Sequence, residues 1–111
     1  MKTLIMLSII VLLGSPSIEA KDTTMLEVIQ TLLDGSPLEL TYEGNDYAIS
    51  INDSNPKRLH ALQDFCYALT VYLSTKYQID FSISAYYERI PLARYIYNAQ
   101  FDTITPVIMW H

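Results

Sequence analysis

The sequence predicts an α+β fold: two helices packed on one face of a small, mainly antiparallel sheet, in the order αββα followed by two or three further β elements. Three patterns carry that expectation. Apolar residues recur at helical spacing over residues 25–33 and 59–73, as on the buried stripe of an amphipathic helix. Apolar and polar residues alternate over 38–51 and again over 79–86, the period of a strand. Each alternating run has one apolar face only, which suits antiparallel strands with one side in water.

The chain of 111 residues opens with Lys2, an apolar run from Leu4 to Leu13, and Gly14-Ser15-Pro16, read as a helix break. Ile18-Glu19-Ala20 then ends in a small residue. This is the layout of a secretory signal peptide, with cleavage expected after Ala20. The run falls short of the roughly 20 apolar residues that cross a hydrocarbon core. The expected organisation is a cleaved leader, residues 1–20, and a single small α+β domain, residues 21–111. That domain is expected to be periplasmic or secreted, with a mature form that does not span a membrane.

Thr24-Met25-Leu26-Glu27 reads as a capping box that starts the first helix, with the threonine oxygen taking the Glu27 amide. Met25, Leu26, Ile29, Leu32 and Leu33 form its stripe, and Gly35 and Pro37 end it,. Leu38, Leu40 and Tyr42 then alternate with Glu39, Thr41 and Glu43, and Tyr47, Ile49 and Ile51 repeat the pattern after Gly44-Asn45-Asp46. That spacing predicts a β-hairpin.

Asn55 and Pro56 read as the cap and first position of a second helix running to about Tyr77,. Its stripe is Leu59, Leu62, Cys66, Leu69 and Leu73, widened by Phe65 and Tyr72. A strand follows, with Ile79, Phe81, Ile83 and Ala85 on one face. Residues 91–100 fit either a short helix, with Leu92, Tyr95, Ile96 and Ala99 inward, or a strand favoured by Tyr95, Ile96 and Tyr97,. Thr103–Trp110 reads as a last strand, and Pro106 places it at a sheet edge,.

Composition narrows function. Half the residues are apolar and 17% are charged, which excludes intrinsic disorder. The net charge is −5 and the seven lysines and arginines are scattered, so no basic surface for nucleic acid is expected. A single cysteine cannot form an internal disulfide or a cysteine-rich zinc site,. His60 and Cys66 sit six positions apart on one predicted helix, about 240° around its axis, too far around for a nucleophile and its base. Cys66 instead reads as a buried, slow-reacting thiol on the core stripe, and a monomer is favoured over a disulfide-linked dimer. His60 and Asp64 share a helix face but make only two ligands. Three glycines give no phosphate loop, and no motif singles out two of the many acids for catalysis. Neither a metal nor a cofactor is expected. Asn52-Asp53-Ser54 matches a glycosylation acceptor,. The short leader and single cysteine suit a bacterial or phage chain, where loop and cap chemistry accounts for those residues.

Tyrosine is the informative excess. Nine are present, and Tyr86, Tyr87, Tyr95 and Tyr97 crowd around Arg89 and Arg94, with Trp110 further on. Tyrosine, tryptophan and arginine dominate protein interfaces because they bury much area and keep a polar tip. These seven residues form a candidate interaction surface; the other reading packs the rings inward.

Ser15-Pro16-Ser17-Ile18-Glu19-Ala20 resembles the leader end of the lysis-inhibition antiholin family of T-even phages. That resemblance implies a periplasmic lysis or superinfection regulator. The family's periplasmic body is helical with paired cysteines, whereas this chain shows strand patterns and one cysteine. The residues therefore favour a small exported, non-enzymatic protein acting on another envelope or secreted protein as accessory factor, inhibitor or regulator. The alternative is a secreted small hydrolase or a glycan-binding module.

Overall fold

A computed structural model describes residues 16–111, with side chains from Met25 onward. Residues 1–15 of the expected leader lie outside the described residues. The elements run α1 (Pro16–Leu33), β1 (Glu39–Glu43), β2 (Asp46–Ile51), α2 (Pro56–Lys76), β3 (Phe81–Tyr87), β4 (Ile90–Asn98) and β5 (Thr103–Ile108). This is the expected α+β class, with three β elements after α2. The chain divides at Leu32/Leu33 into two compact units, the second holding the sheet and α2.

In the first unit, α1 is described from Pro16 onward, so Thr24 lies inside the helix and not at its cap. Met25, Ile29 and Leu33 are buried at four-residue steps. Leu32 is half exposed, so the stripe is narrower than the sequence suggested.

In the second unit the strands lie in the order β1-β2-β3-β4-β5. Gly44 takes a positive φ of 61° between β1 and β2, the conformation a two-residue hairpin loop demands and glycine adopts without a Cβ clash. β2 and β3 form the one parallel pair among described strands, with α2 as the crossover between them. The other neighbours are antiparallel. Asn55 caps α2 by accepting the Lys57 N–H at 3.0 Å, and Pro56 follows at its start.

Leu59, Leu62, Cys66, Leu69 and Leu73 are all buried along α2. Phe65 is half-buried and Tyr72 exposed, so Tyr72 does not widen the stripe as expected. Facing α2, the sheet presents Phe81, Ile83 and Ala85 from β3 and Ala93, Tyr95 and Tyr97 from β4, all buried. The Tyr67 ring on α2 meets Tyr95 with centroids 5.5 Å apart.

Residues 91–98 are strand, as the greater part of β4, and residues 99–100 are turn, so the helical alternative is overturned. A helix there would have left β3 without its antiparallel partner. Of its inward set, Leu92 and Tyr95 are buried and Ile96 and Ala99 half-buried; Tyr95 follows strand alternation from Ala93, and a β-bulge accounts for Leu92. Ala85 pairs with Ala93 and Tyr86 with Pro91, which leaves Leu92 as the extra residue. A bulge lets consecutive residues share a face, and Leu92 and Ala93 are both buried. β5 is an edge strand, as Pro106 indicated.

Candidate functional site

The structure splits the seven candidate residues. Tyr95 and Tyr97 belong to the core under α2, with 4% and 2% exposure, so these two leave the expected surface. Burial raises the Tyr95 pKa, with Cys66, Asp64 and Tyr67 adding to the effect. The Tyr97 hydroxyl donates to Asp102 Oδ1 at 2.8 Å. That bond, then burial, raises its pKa too. Both phenols stay neutral near pH 7.

The other five gather where the end of β3, the start of β4 and the end of β5 meet. Tyr86 pairs with Pro91, and Tyr87 with Ile90. Arg94 stands opposite Val107, one position from the Ala93–Ile108 pair. Tyr86 and Tyr87 are half-buried, and Arg89 and Arg94 are exposed. Register adds four apolar residues that reading along the chain missed: Ile90, Pro91, Val107 and Met109. Ile90 is 55% exposed and Met109 46%. Ile90 and Pro91 directly follow Arg89 in the sequence, whereas Val107 and Met109 join only through the β4–β5 pairing.

The bulge carbonyl of Leu92 anchors this corner. It accepts from the Met109 N–H at 2.9 Å, the Trp110 N–H at 3.1 Å and Gln63 Nε2 at 3.0 Å. Gln63 Nε2 also donates to the Trp110 carbonyl at 2.9 Å. Its Oε1 is then the acceptor facing His60 Nδ1 at 3.3 Å, which places the imidazole proton on Nδ1. The His60 ring packs against Trp110 with centroids 4.5 Å apart and planes tilted by 36°. Trp110 is therefore fixed to α2 rather than frayed.

On the sheet face away from α2, Arg94 lies 3.6 Å from Asp46, and Asp46 accepts the Ser82 hydroxyl at 2.7 Å. That bond explains why Ser82 is buried although it alternates with the core residues of β3. The exposed ion pair orients Arg94 more than it stabilises the fold, since such pairs contribute about 0–1 kcal/mol.

Beside the corner, a cleft of about 330 Å³ is lined by Pro37, Glu39, Ser50, Ile51, Asn52, Glu88 and Arg89. It lies past the carboxyl ends of the parallel strands β2 and β3. Glu88 holds the left-handed φ of 53° in the β3–β4 turn, and its N–H donates to the Ile51 carbonyl at 3.0 Å.

Cys66 is fully buried, with Sγ 4.0 Å from the Ser84 carbonyl. Burial pushes its thiol pKa up to about 12, which suppresses the reactive thiolate. Among the described residues no group of three or more His, Cys, Asp and Glu could hold a metal ion, and no helix is long and apolar enough to cross a membrane. Compared with protein-family models, curated proteins and solved structures, the chain matches none.

Proposed function

We propose that this chain is a small exported, non-enzymatic domain that binds another protein through the β3–β4–β5 corner. The observation that carries the reading is the sheet end where register sets Tyr86 beside Pro91, Tyr87 beside Ile90 and Arg94 beside Val107. Apolar residues beside tyrosine and arginine have the composition of a protein interface.

The mode of binding follows from the edge. The Met109 N–H bonds to Leu92 across the β4–β5 pair. Alternation then turns the backbone N–H groups of Ile104 and Ile108 outward, together with the nitrogen of Pro106. Proline has no hydrogen there, so the edge lacks its middle donor, a device that resists strand addition. Side-chain contact at the corner, rather than a partner strand along β5, is the favoured mode.

A photo-crosslinking residue placed at Ile90 or Val107 in the expressing cell tests this. A discrete adduct at these positions, absent when the same residue replaces exposed Tyr72 on α2, supports the proposal. Equal labelling at all three positions contradicts it.

A further inference from the structure

We infer that the cleft between the β1–β2 hairpin and the β3–β4 turn binds a small zwitterion, with its ammonium between Glu39 and Glu88 and its carboxylate on Arg89. The volume, about 330 Å³, lies at the small end of ligand pockets, which run from roughly 300 to 1,000 Å³. Its lining carries both charge signs, and among the described residues the side chains of Glu39, Asn52, Glu88 and Arg89 make no internal hydrogen bond or ion pair. Four aspartates elsewhere are engaged: Asp46 with Ser82 and Arg94, Asp53 with Asn55 and Arg58, Asp80 with the Ala99 N–H, and Asp102 with Tyr97. The cleft groups are exposed and free to meet a ligand.

Glu88 sharpens the argument. Its φ of 53° is a conformation glycine adopts more readily than any residue with a Cβ. A carboxylate is kept where glycine would be less strained, and its backbone tie to Ile51 holds the turn against the end of β2. Pro37 and Ile51 give apolar wall, while Ser50 and Asn52 offer hydrogen bonds to a neutral middle such as an amide. An ammonium and a carboxylate joined by one or two amide-sized units match this arrangement, so amino acids and short peptides are the ligand class. Charge-assisted hydrogen bonds to guanidinium and carboxylate are the strong kind, and planar Arg89 suits a carboxylate.

The inference does not rest on the corner's role as a protein-binding surface, because Glu39 and Asn52 lie outside the corner. The test is an amide NMR titration of the full chain with glycylglycine, beside its N-acetylated form, which lacks the ammonium, and its C-terminal amide, which lacks the carboxylate. Saturable shifts at Glu39, Ser50, Ile51, Asn52, Glu88 and Arg89, with a Kd near or below about 1 mM, are expected. Either capped form, Glu39→Gln or Arg89→Gln weakens binding roughly tenfold, as loss of one charged contact should. Glu88→Gly raises the melting temperature and still loses binding, a pair of effects that damage to the fold cannot produce. No saturable shift up to about 10 mM, or equal binding by the capped forms, overturns the inference. Partner crosslinking at Ile90 that survives in Glu39→Gln shows the two sites to be separate.

Discussion

Tyr95 and Tyr97 on β4 and Tyr86 and Tyr87 on β3 are the same residue type on paired strands, yet they do opposite things. The β4 pair faces α2, where Tyr95 meets Tyr67, and Tyr97 meets Phe81 at 5.4 Å and donates to Asp102. The β3 pair sits half-buried past the bulge, opposite Pro91 and Ile90. What separates the two is position relative to α2 and the Leu92 bulge. Tyrosine enrichment therefore has two origins in this chain: core filling with a satisfied hydroxyl, and a surface patch.

The largest expected effect breaks the core half. Tyr97→Ala empties a site that is 2% exposed and should cost about 3–5 kcal/mol, the range for removing a buried ring. Chemical denaturation measures it. A cost below about 1 kcal/mol, as for a surface ring, would return Tyr97 to the corner.

Alkaline unfolding sharpens the same half. The buried Cys66 thiol shifts from 9.0 to about 12, and the Tyr95 and Tyr97 phenols also move up. A raised folded-state pKa gives stability that is whole below the unfolded value and is lost as pH climbs toward the folded one. Stability should thus hold to pH 9.0 and then fall by about 1.4 kcal/mol per pH unit for Cys66 alone. Cys66→Ala should flatten this slope at its onset, and an unchanged slope in pH-dependent denaturation would place the thiol in contact with water.

Tyr97→Phe keeps the ring and removes only the hydrogen bond to Asp102. The expected loss is about 1 kcal/mol, with a shallower alkaline slope above the ordinary tyrosine value. The smallest effect belongs to the other half. Tyr86→Ala should change stability by about 1 kcal/mol or less, while reducing whatever binds the corner.

Most of the scaffold was legible in the residues. The Leu59–Leu73 stripe, the Asn55–Pro56 cap and the alternation of Phe81, Ile83 and Ala85 are local signals, and each appears where its period places it. Two local signals misled. Gly14-Ser15-Pro16 suggests a helix break, yet Pro16 belongs to α1, and the capping box at Thr24 falls inside that helix. Residues 91–100 stayed open because a bulge makes a strand bury consecutive residues, which imitates helical spacing. Of the corner, the sequence held Tyr86, Tyr87, Arg89, Arg94 and Trp110. It could not show Val107 beside Arg94, or Met109 bonded to Leu92, because those contacts exist only once β4 and β5 pair.

The central claim is that the β3–β4–β5 corner, and not the α2 surface, is where this chain meets its partner. The most direct measurement is the affinity of the partner captured at Ile90 for three proteins: the parent chain, an Ile90→Asp/Met109→Asp variant and a Tyr72→Asp variant, with melting temperatures recorded for each. Both altered positions are exposed in the double variant, so all three should melt alike. Binding should fall at least about tenfold in the double variant alone, a change of roughly 1.4 kcal/mol. Undiminished binding by a folded double variant, or an equal loss in Tyr72→Asp, would contradict the account.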